Sequence, residues 1–221
     1  MLWLKRILFS SVGCKLVVAL TGLGLVGFLV AHLAGNFLVF VGPEAINDYA
    51  RQLRKFPLIL WILRLGLISI FFIHIAFTIR LTRLNKISNP QKYAVPSREL
   101  SSFASRSMIL SGLTVLSFVL YHLAHLTFRL TNPLFEQLGE YDVYAMLLIS
   151  FQNPIIVCFY ILSVCLLMVH LSHGISSSFQ TFGIKHLKYN KIVENSSIAL
   201  SIFLALGFSS IPISIFLGLI Q

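Results

Sequence analysis

Seven histidines punctuate an otherwise apolar chain, and four of them, His32, His74, His122 and His170, sit where their surroundings ask for leucine. A neutral imidazole inside hydrocarbon has three uses: hydrogen-bonding a neighbouring helix, relaying a proton, or ligating a metal. His125 and His173 each follow one of the four by three residues. Such an i, i+3 pair resembles half of a zinc site, but neither pair has Cys, Asp or Glu nearby to complete four ligands. Whatever the histidines do therefore depends on how their segments are brought together.

Those segments are membrane spans. The 221 residues are 57% hydrophobic and 11% charged, with a mean hydropathy of +0.88, well outside the range of a water-soluble domain. Crossing about 30 Å of hydrocarbon takes about 18 or more apolar residues. Runs of that length predict five helices at 15–41, 57–84, 105–130, 153–180 and 193–219, forming one all-α integral membrane domain. A secretory signal is the competing reading of the N-terminus. The run from Leu16 is too long for one, and no small-residue cleavage site closes it.

Lysine and arginine orient the domain. With the N-terminus in the cytoplasm, the inner segments hold Lys5, Arg6, Lys15, Arg80, Arg83, Lys86, Lys92, Arg98, Arg106, Lys185, Lys188 and Lys191, leaving Arg51, Arg54, Lys55 and Arg129 outside and Arg64 within a span. The acids lean outward, at Glu44, Asp48, Glu136, Glu140 and Asp142. The positive-inside rule then places the N-terminus in the cytoplasm and the C-terminus outside. The net charge of +10 follows from this topology and points to no nucleic acid. Anionic membrane lipid and an acidic soluble partner are both open as its counterpart. Cys14, Cys158 and Cys165 offer no disulfide, since the last two lie two turns apart on one helix, and they are read as small packing residues.

Depth sorts the histidines. His32, His74, His122 and His170 each lie about 17 residues into their helix, about two-thirds of the way across. Because successive helices alternate in direction, His32 and His122 share an outer layer and His74 and His170 an inner one, about 13 Å apart. Two imidazoles facing each other across a four-helix core are what a six-coordinate haem iron requires, and two layers imply two haem b groups. A lone intramembrane histidine is as often a packing or relay residue, but four at matched depths are harder to read that way.

A second regularity runs alongside. Thr21-Gly22 precedes His32, and Ser111-Gly112 precedes His122, in a shared [Thr/Ser]-Gly-x9-His pattern. Ten residues span about 15 Å of helix, which brings both glycines to the inner layer. Either the missing side chains admit a porphyrin close to the backbone or they let helices pack closely. Arg64 stands ten residues before His74, near the outer layer, where a haem propionate or the membrane interface would receive its charge. His125 and His173, one turn nearer the surfaces, suit hydrogen bonds to a propionate, a quinone or water. His186 is read as solvated between Lys185 and Lys188.

Four stretches carry a family likeness: ALTGLGLVGFLVAHLAGNFLVFVGPEAINDYARQL (19–53), LWILRLGLISIFFIHIAF (60–77), YHLAHLTF (121–128) and YDVYAMLLISFQNPIIVCFYILSVCLLMVHLSHGISSSFQTFG (141–183). They resemble the membrane cytochrome b subunit of succinate dehydrogenases and fumarate reductases of the two-haem, five-helix type. HLAGN with GPEAINDYA and HLSHG with FQTFG are the specific motifs, and the fifth helix carries none. The resemblance implies a membrane anchor on whose cytoplasmic face a flavoprotein and an iron–sulfur subunit dock, as in the tricarboxylic acid cycle enzyme. Electrons from succinate then reach a membrane quinone through two haems. It implies that His74 and His170 bind the inner haem and His32 and His122 the outer one.

By the same likeness His173 and Gly174 stand at the inner haem edge. The quinone, of the menaquinone type, is placed at the outer side near the 42–56 loop, where Asn47, Tyr49 and Arg64 are candidates. The succinate site itself is absent from this chain. No Asp or Glu lies in the interior of a predicted span, Glu194 standing at the first turn of the last one, so the sequence offers no carboxylate path for protons. Two other classes stay open: a haem-free structural anchor, and a stand-alone transmembrane cytochrome b reductase or small transporter. A transporter is expected to show inverted repeats or broken helices, whereas mid-helix proline is limited here to Pro212.

Overall fold

In a computed structural model, described over residues 2–88, 107–139, 142–184 and 188–221, the described residues contain helices and turns and no strand. Lys92, Arg98, Glu99, Arg106, Glu140, Lys185 and His186 lie outside the described residues, as does most of the loop after the second span. The elements in order are α1 (Leu2–Leu8), α2 (Ser11–Asn36), α3 (Pro43–Arg54), α4 (Pro57–Ser88), α5 (Met108–His122), α6 (Val143–Phe151), α7 (Pro154–Thr181) and α8 (Asn190–Phe216). Five segments are long and apolar enough to cross a membrane: Ser11–Phe40, Pro57–Ser88, Met108–Thr127, Pro154–Thr181 and Asn190–Phe216. They are the five expected spans, with ends displaced by a few residues.

Local capping explains the displacements. Ser10 accepts the Gly13 N–H and starts α2 ahead of the apolar run. Asn153 accepts the Ile155 N–H with Pro154 in the first turn, so α7 begins abruptly. The third span does not stay α-helical to its end. After His122 it widens into a π turn, Leu123–Thr127, closed by the Phe128 N–H on the Leu123 carbonyl at 2.8 Å, and the chain then reverses at Arg129 with φ of 56°.

The 42–56 segment, expected as a loop, is instead mostly the helix α3. Gly42 at φ 132° turns the chain, Pro43 opens the helix, Glu44 lies in its first turn, and Arg51 and Arg54 lie in its last, complementing the helix dipole. A second short helix, α6, is started by Asp142, which accepts the Ala145 N–H. With the 3-10 turn Pro133–Gln137, these form a cap over one end of the bundle. Its core joins Val39, Ile46, Tyr144, Leu147, Phe151, Val157, Tyr160, Ile211 and Ile215. The other end carries Lys15, Arg80, Arg83, Lys86, Lys188 and Lys191. We refer to the cap end and the basic end.

Among the spans, α4 packs on α2, α2 on α7, and α7 on α5, while α4 and α5 scarcely touch. The four therefore stand at the corners of a square with one loosely closed edge. Helix α8 packs along α7 and against α2, and it is the most buried span. Its approach is close because Gly207 has no side chain: a Cβ there would come within 2.6 Å of Leu33 Cδ2. So α8, which carries no motif, supports the square formed by the first four spans. By contrast α4 has no buried residue, and its surface is a continuous run of apolar side chains facing the membrane. Cys158 and Cys165 are exposed on the outside of α7 and not packed within it, while Cys14 is buried.

At the basic end, Arg80 of α4 donates to the Phe9 carbonyl at 3.0 Å and lies over the Phe9 ring, holding the α1–α2 turn against α4.

Candidate functional site

The four intramembrane histidines come from the four corners of the square. His32 on α2 and His122 on α5, which occupy one diagonal, meet at the cap end with ring centres 6.0 Å apart and planes at 86°. His74 on α4 and His170 on α7 occupy the other diagonal, nearer the basic end. The titratable groups that reach His170 electrostatically are His74 and His173, and those that reach His122 are His32 and His125. Diagonal pairing follows from helix direction. Helices at opposite corners run parallel, so residues at equal depth in their sequences reach equal height.

The two [Thr/Ser]-Gly steps fall on the basic-end histidines. Thr21 Oγ1 lies 3.1 Å from His74 Nδ1, and Ser111 Oγ lies 3.2 Å from His170 Nδ1. A Cβ added at Gly22 would stand 3.2 Å from His74 Cε1, and one at Gly112 would stand 3.3 Å from His170 Cε1. Each glycine thus seats an imidazole against the neighbouring helix backbone. Since Gly22 touches His74 and His32 touches His122, the ten-residue step along α2 sets the two levels about 15 Å apart.

The cap-end pair is surrounded differently. His32 packs on Phe28, at 5.3 Å between ring centres, and on Phe208 of α8, at 5.8 Å. His122 packs on Phe118 and Tyr160. The Tyr160 hydroxyl stands 3.5 Å from His122 Nδ1 and 2.9 Å from His125 Nδ1, so one phenol links the two histidines. His125 lies in the π turn, is fully buried and stacks on Phe135 of the cap, and its Nε2 has no hydrogen-bond partner among the described residues. The sequence placed His125 one turn nearer the surface, with a propionate, a quinone or water as its partner. The cap instead closes over it.

Tyr160 was not singled out in the sequence, although a signal was there. It stands ten residues before His170, the same interval that separates Gly22, Arg64 and Gly112 from their histidines. Four helices thus carry their second functional position at one spacing. Only Arg64 turns away: it is exposed on α4 and lies over the Trp61 ring at 5.4 Å, on the lipid-facing side of the square.

The remaining candidates separate by use. Asn47 is occupied at both ends of its amide, donating to Asp142 Oδ1 at 3.1 Å and accepting the Tyr144 N–H at 3.0 Å. It is a clamp between α3 and α6, with both polar atoms of the amide engaged. Tyr144 extends the clamp by donating to the Gln221 carbonyl at 2.9 Å. Tyr49 packs on Gly35 of α2, where a Cβ would come within 2.8 Å of its ring, and it lines a shallow apolar groove with Gln52, Leu53, Phe56, Ile59, Leu60 and Leu63. His173 is half-buried one turn from His170. Gly174 has open space beside it, and Ser172 and Ser178 donate to carbonyls of their own helix, Val169 and Gly174.

No three His, Cys, Asp or Glu side chains converge on one point among the described residues. A pair is a different matter. Two imidazoles that approach one another from different helices would be able to hold a haem iron between them. The rings of His32 and His122 stand 6.0 Å apart, and the phenylalanines around them would suit an apolar macrocycle. Compared with protein-family models, with curated proteins and with solved structures, the chain gave no match.

Proposed function

We propose that this chain is a di-haem cytochrome b that anchors a succinate:quinone oxidoreductase in the membrane and conducts its electrons. One observation carries the proposal: four histidines from four spans sort into two levels, His32 in ring contact with His122 and His74 within electrostatic reach of His170. Haem, when bound, supplies one-electron carriage between the two faces of the membrane. His74 and His170 would hold the iron nearer the basic end, and His32 and His122 the iron nearer the cap.

The chain's own residues supply the remainder. The basic end lies in the cytoplasm and offers Lys15, Arg80, Arg83, Lys86, Lys188 and Lys191 to an acidic iron–sulfur subunit, with the flavoprotein beyond it. Phe28, Phe118 and Phe208 keep water from the cap-end histidines. The cap seals that end on the outer face, in a bacterial inner membrane. A quinone of the menaquinone type would use the groove beside α3, where the Tyr49 hydroxyl has no hydrogen bond among the described residues and Gln52 stands next to it. Asn47 shapes that wall from behind through its clamp, and Arg64 stands further along α4 on the membrane side.

A reduced-minus-oxidised spectrum with a haem-to-protein ratio on the purified chain, together with any soluble subunits that copurify, tests this directly. The expected result is about two b-type haems per chain. A preparation without haem would reduce the histidines to packing residues and leave a structural anchor. Haem without copurifying flavin and iron–sulfur protein would favour a stand-alone reductase.

A further inference from the structure

We infer that Thr21 and Ser111 are matched positioning residues that hold His74 and His170 as Nδ1–H tautomers, leaving each Nε2 with the free lone pair. The inference rests on the reading of these histidines as haem ligands and adds to it which nitrogen binds and what holds the ring.

The argument begins with where each hydroxyl proton goes. Thr21 Oγ1 donates to the Val17 carbonyl at 2.6 Å, and Ser111 Oγ donates to the Met108 carbonyl at 3.1 Å. A hydroxyl has one proton. With that proton committed to the helix backbone, each oxygen can only accept from the imidazole it faces, at 3.1 Å for His74 and 3.2 Å for His170. The acceptor on the histidine's Nδ1 side therefore selects the Nδ1–H form, and Nε2 becomes the ligating atom.

The glycine that follows each hydroxyl completes the seat. With ring carbon Cε1 only 3.2 or 3.3 Å from where a Cβ would stand at Gly22 or Gly112, even an alanine methyl would need the imidazole to give by a few tenths of an ångström. Hydroxyl and glycine thus act on one ring from adjacent positions, one by attraction and one by absence. The same two-residue device occurs twice, on α2 for α4 and on α5 for α7. This repetition separates it from ordinary serine or threonine back-bonding, which needs no imidazole opposite and no glycine beside it.

The cap-end pair has no counterpart. His122 meets a phenol at the longer distance of 3.5 Å, and no hydrogen bond among the described residues reaches the His32 ring. The electronic consequence is one-sided. An Nδ1–H donor bond raises the basicity of the ligating nitrogen and favours ferric iron, so its removal should raise the reduction potential of the basic-end haem alone.

The test uses the full chain in membranes, with Thr21→Val, Ser111→Ala, and the conservative Thr21→Ser and Ser111→Thr. The low-spin ferric signal in electron paramagnetic resonance and a potentiometric titration of both haems are the readouts. Thr21→Val and Ser111→Ala should each shift the signal and potential of the haem that His170→Ala removes, by up to about tenfold in the ferric–ferrous ratio, which is about 59 mV for one electron. Thr21→Ser and Ser111→Thr should restore both, and the cap-end haem should not respond. Unchanged signals and potentials in Thr21→Val and Ser111→Ala, with two haems retained, would overturn the inference and leave the haem reading standing. A wild-type chain without any low-spin haem signal would overturn both.

Discussion

The two histidine levels are built on opposite plans. At the basic end, each imidazole is gripped by a neighbouring helix through a hydroxyl at 3.1 or 3.2 Å and a glycine seat, and the two grips are copies of one another. At the cap end, the imidazoles lie among Phe28, Phe118 and Phe208, and their one polar contact, Tyr160, is shared with the buried His125. Small polar residues admit close helix approach and directional bonds, whereas aromatic rings fill volume and exclude water. The difference teaches that equal depth in sequence does not mean equal surroundings. On the proposed reading, a haem held by oriented hydrogen bonds and one held by apolar packing would differ in potential.

The largest expected effect tests whether the levels are separate at all. His122→Ala should remove one of two haems and largely spare the other, read as a haem-to-protein ratio falling by about half; two full haem equivalents in that variant would break the diagonal pairing. Tyr160→Phe should follow in size. It strands the buried His125 Nδ1, at a cost of about 1–3 kcal/mol in thermal unfolding, and it should move the cap-end haem signal while the basic-end signal stays in place. A shift at both levels would show that the two are not insulated.

Asn47→Ala removes the α3–α6 clamp and should cost about 1–2 kcal/mol of stability, seen as faster proteolysis of the cap, with the basic-end spectrum unchanged. Loss of quinone reactivity at unaltered cap stability would instead make Asn47 a ligand. The smallest change is Gly112→Ala. Its Cβ needs the His170 ring to give by a few tenths of an ångström, so a small displacement of the basic-end signal is expected in low-temperature resonance spectra. No change there would mean that the seat is looser than its 3.3 Å spacing implies.

Much of the frame was legible in the residues. The five spans follow from apolar run length, because lipid imposes a length that no tertiary context overrides. The common depth of the four histidines and the glycine spacing are also properties of single helices, countable at a fixed rise per residue. The cap was less legible. The residues 43–54 read as a loop because the segment is polar and short, yet Pro43, Glu44 and the late arginines are helix signals, and the amphipathic face they carry found Ile46 a place in the cap core.

Which side chains meet was decided by the tertiary structure, since a helix settles the height of a residue but its neighbours settle what stands opposite. The fold put Thr21 and Ser111 against imidazoles, brought Tyr160 between two histidines, closed the cap over His125, engaged Asn47 in a clamp and turned Arg64 outward. It also made α8 a supporting wall, through a glycine contact with Leu33 that no motif announces. By itself the sequence determined the five membrane-length spans found among the described residues and the depth of the imidazoles along them. Their rotation about each helix axis, and hence the partner each one faces, depends on packing between helices, where van der Waals fit and a few hydrogen bonds do the selecting.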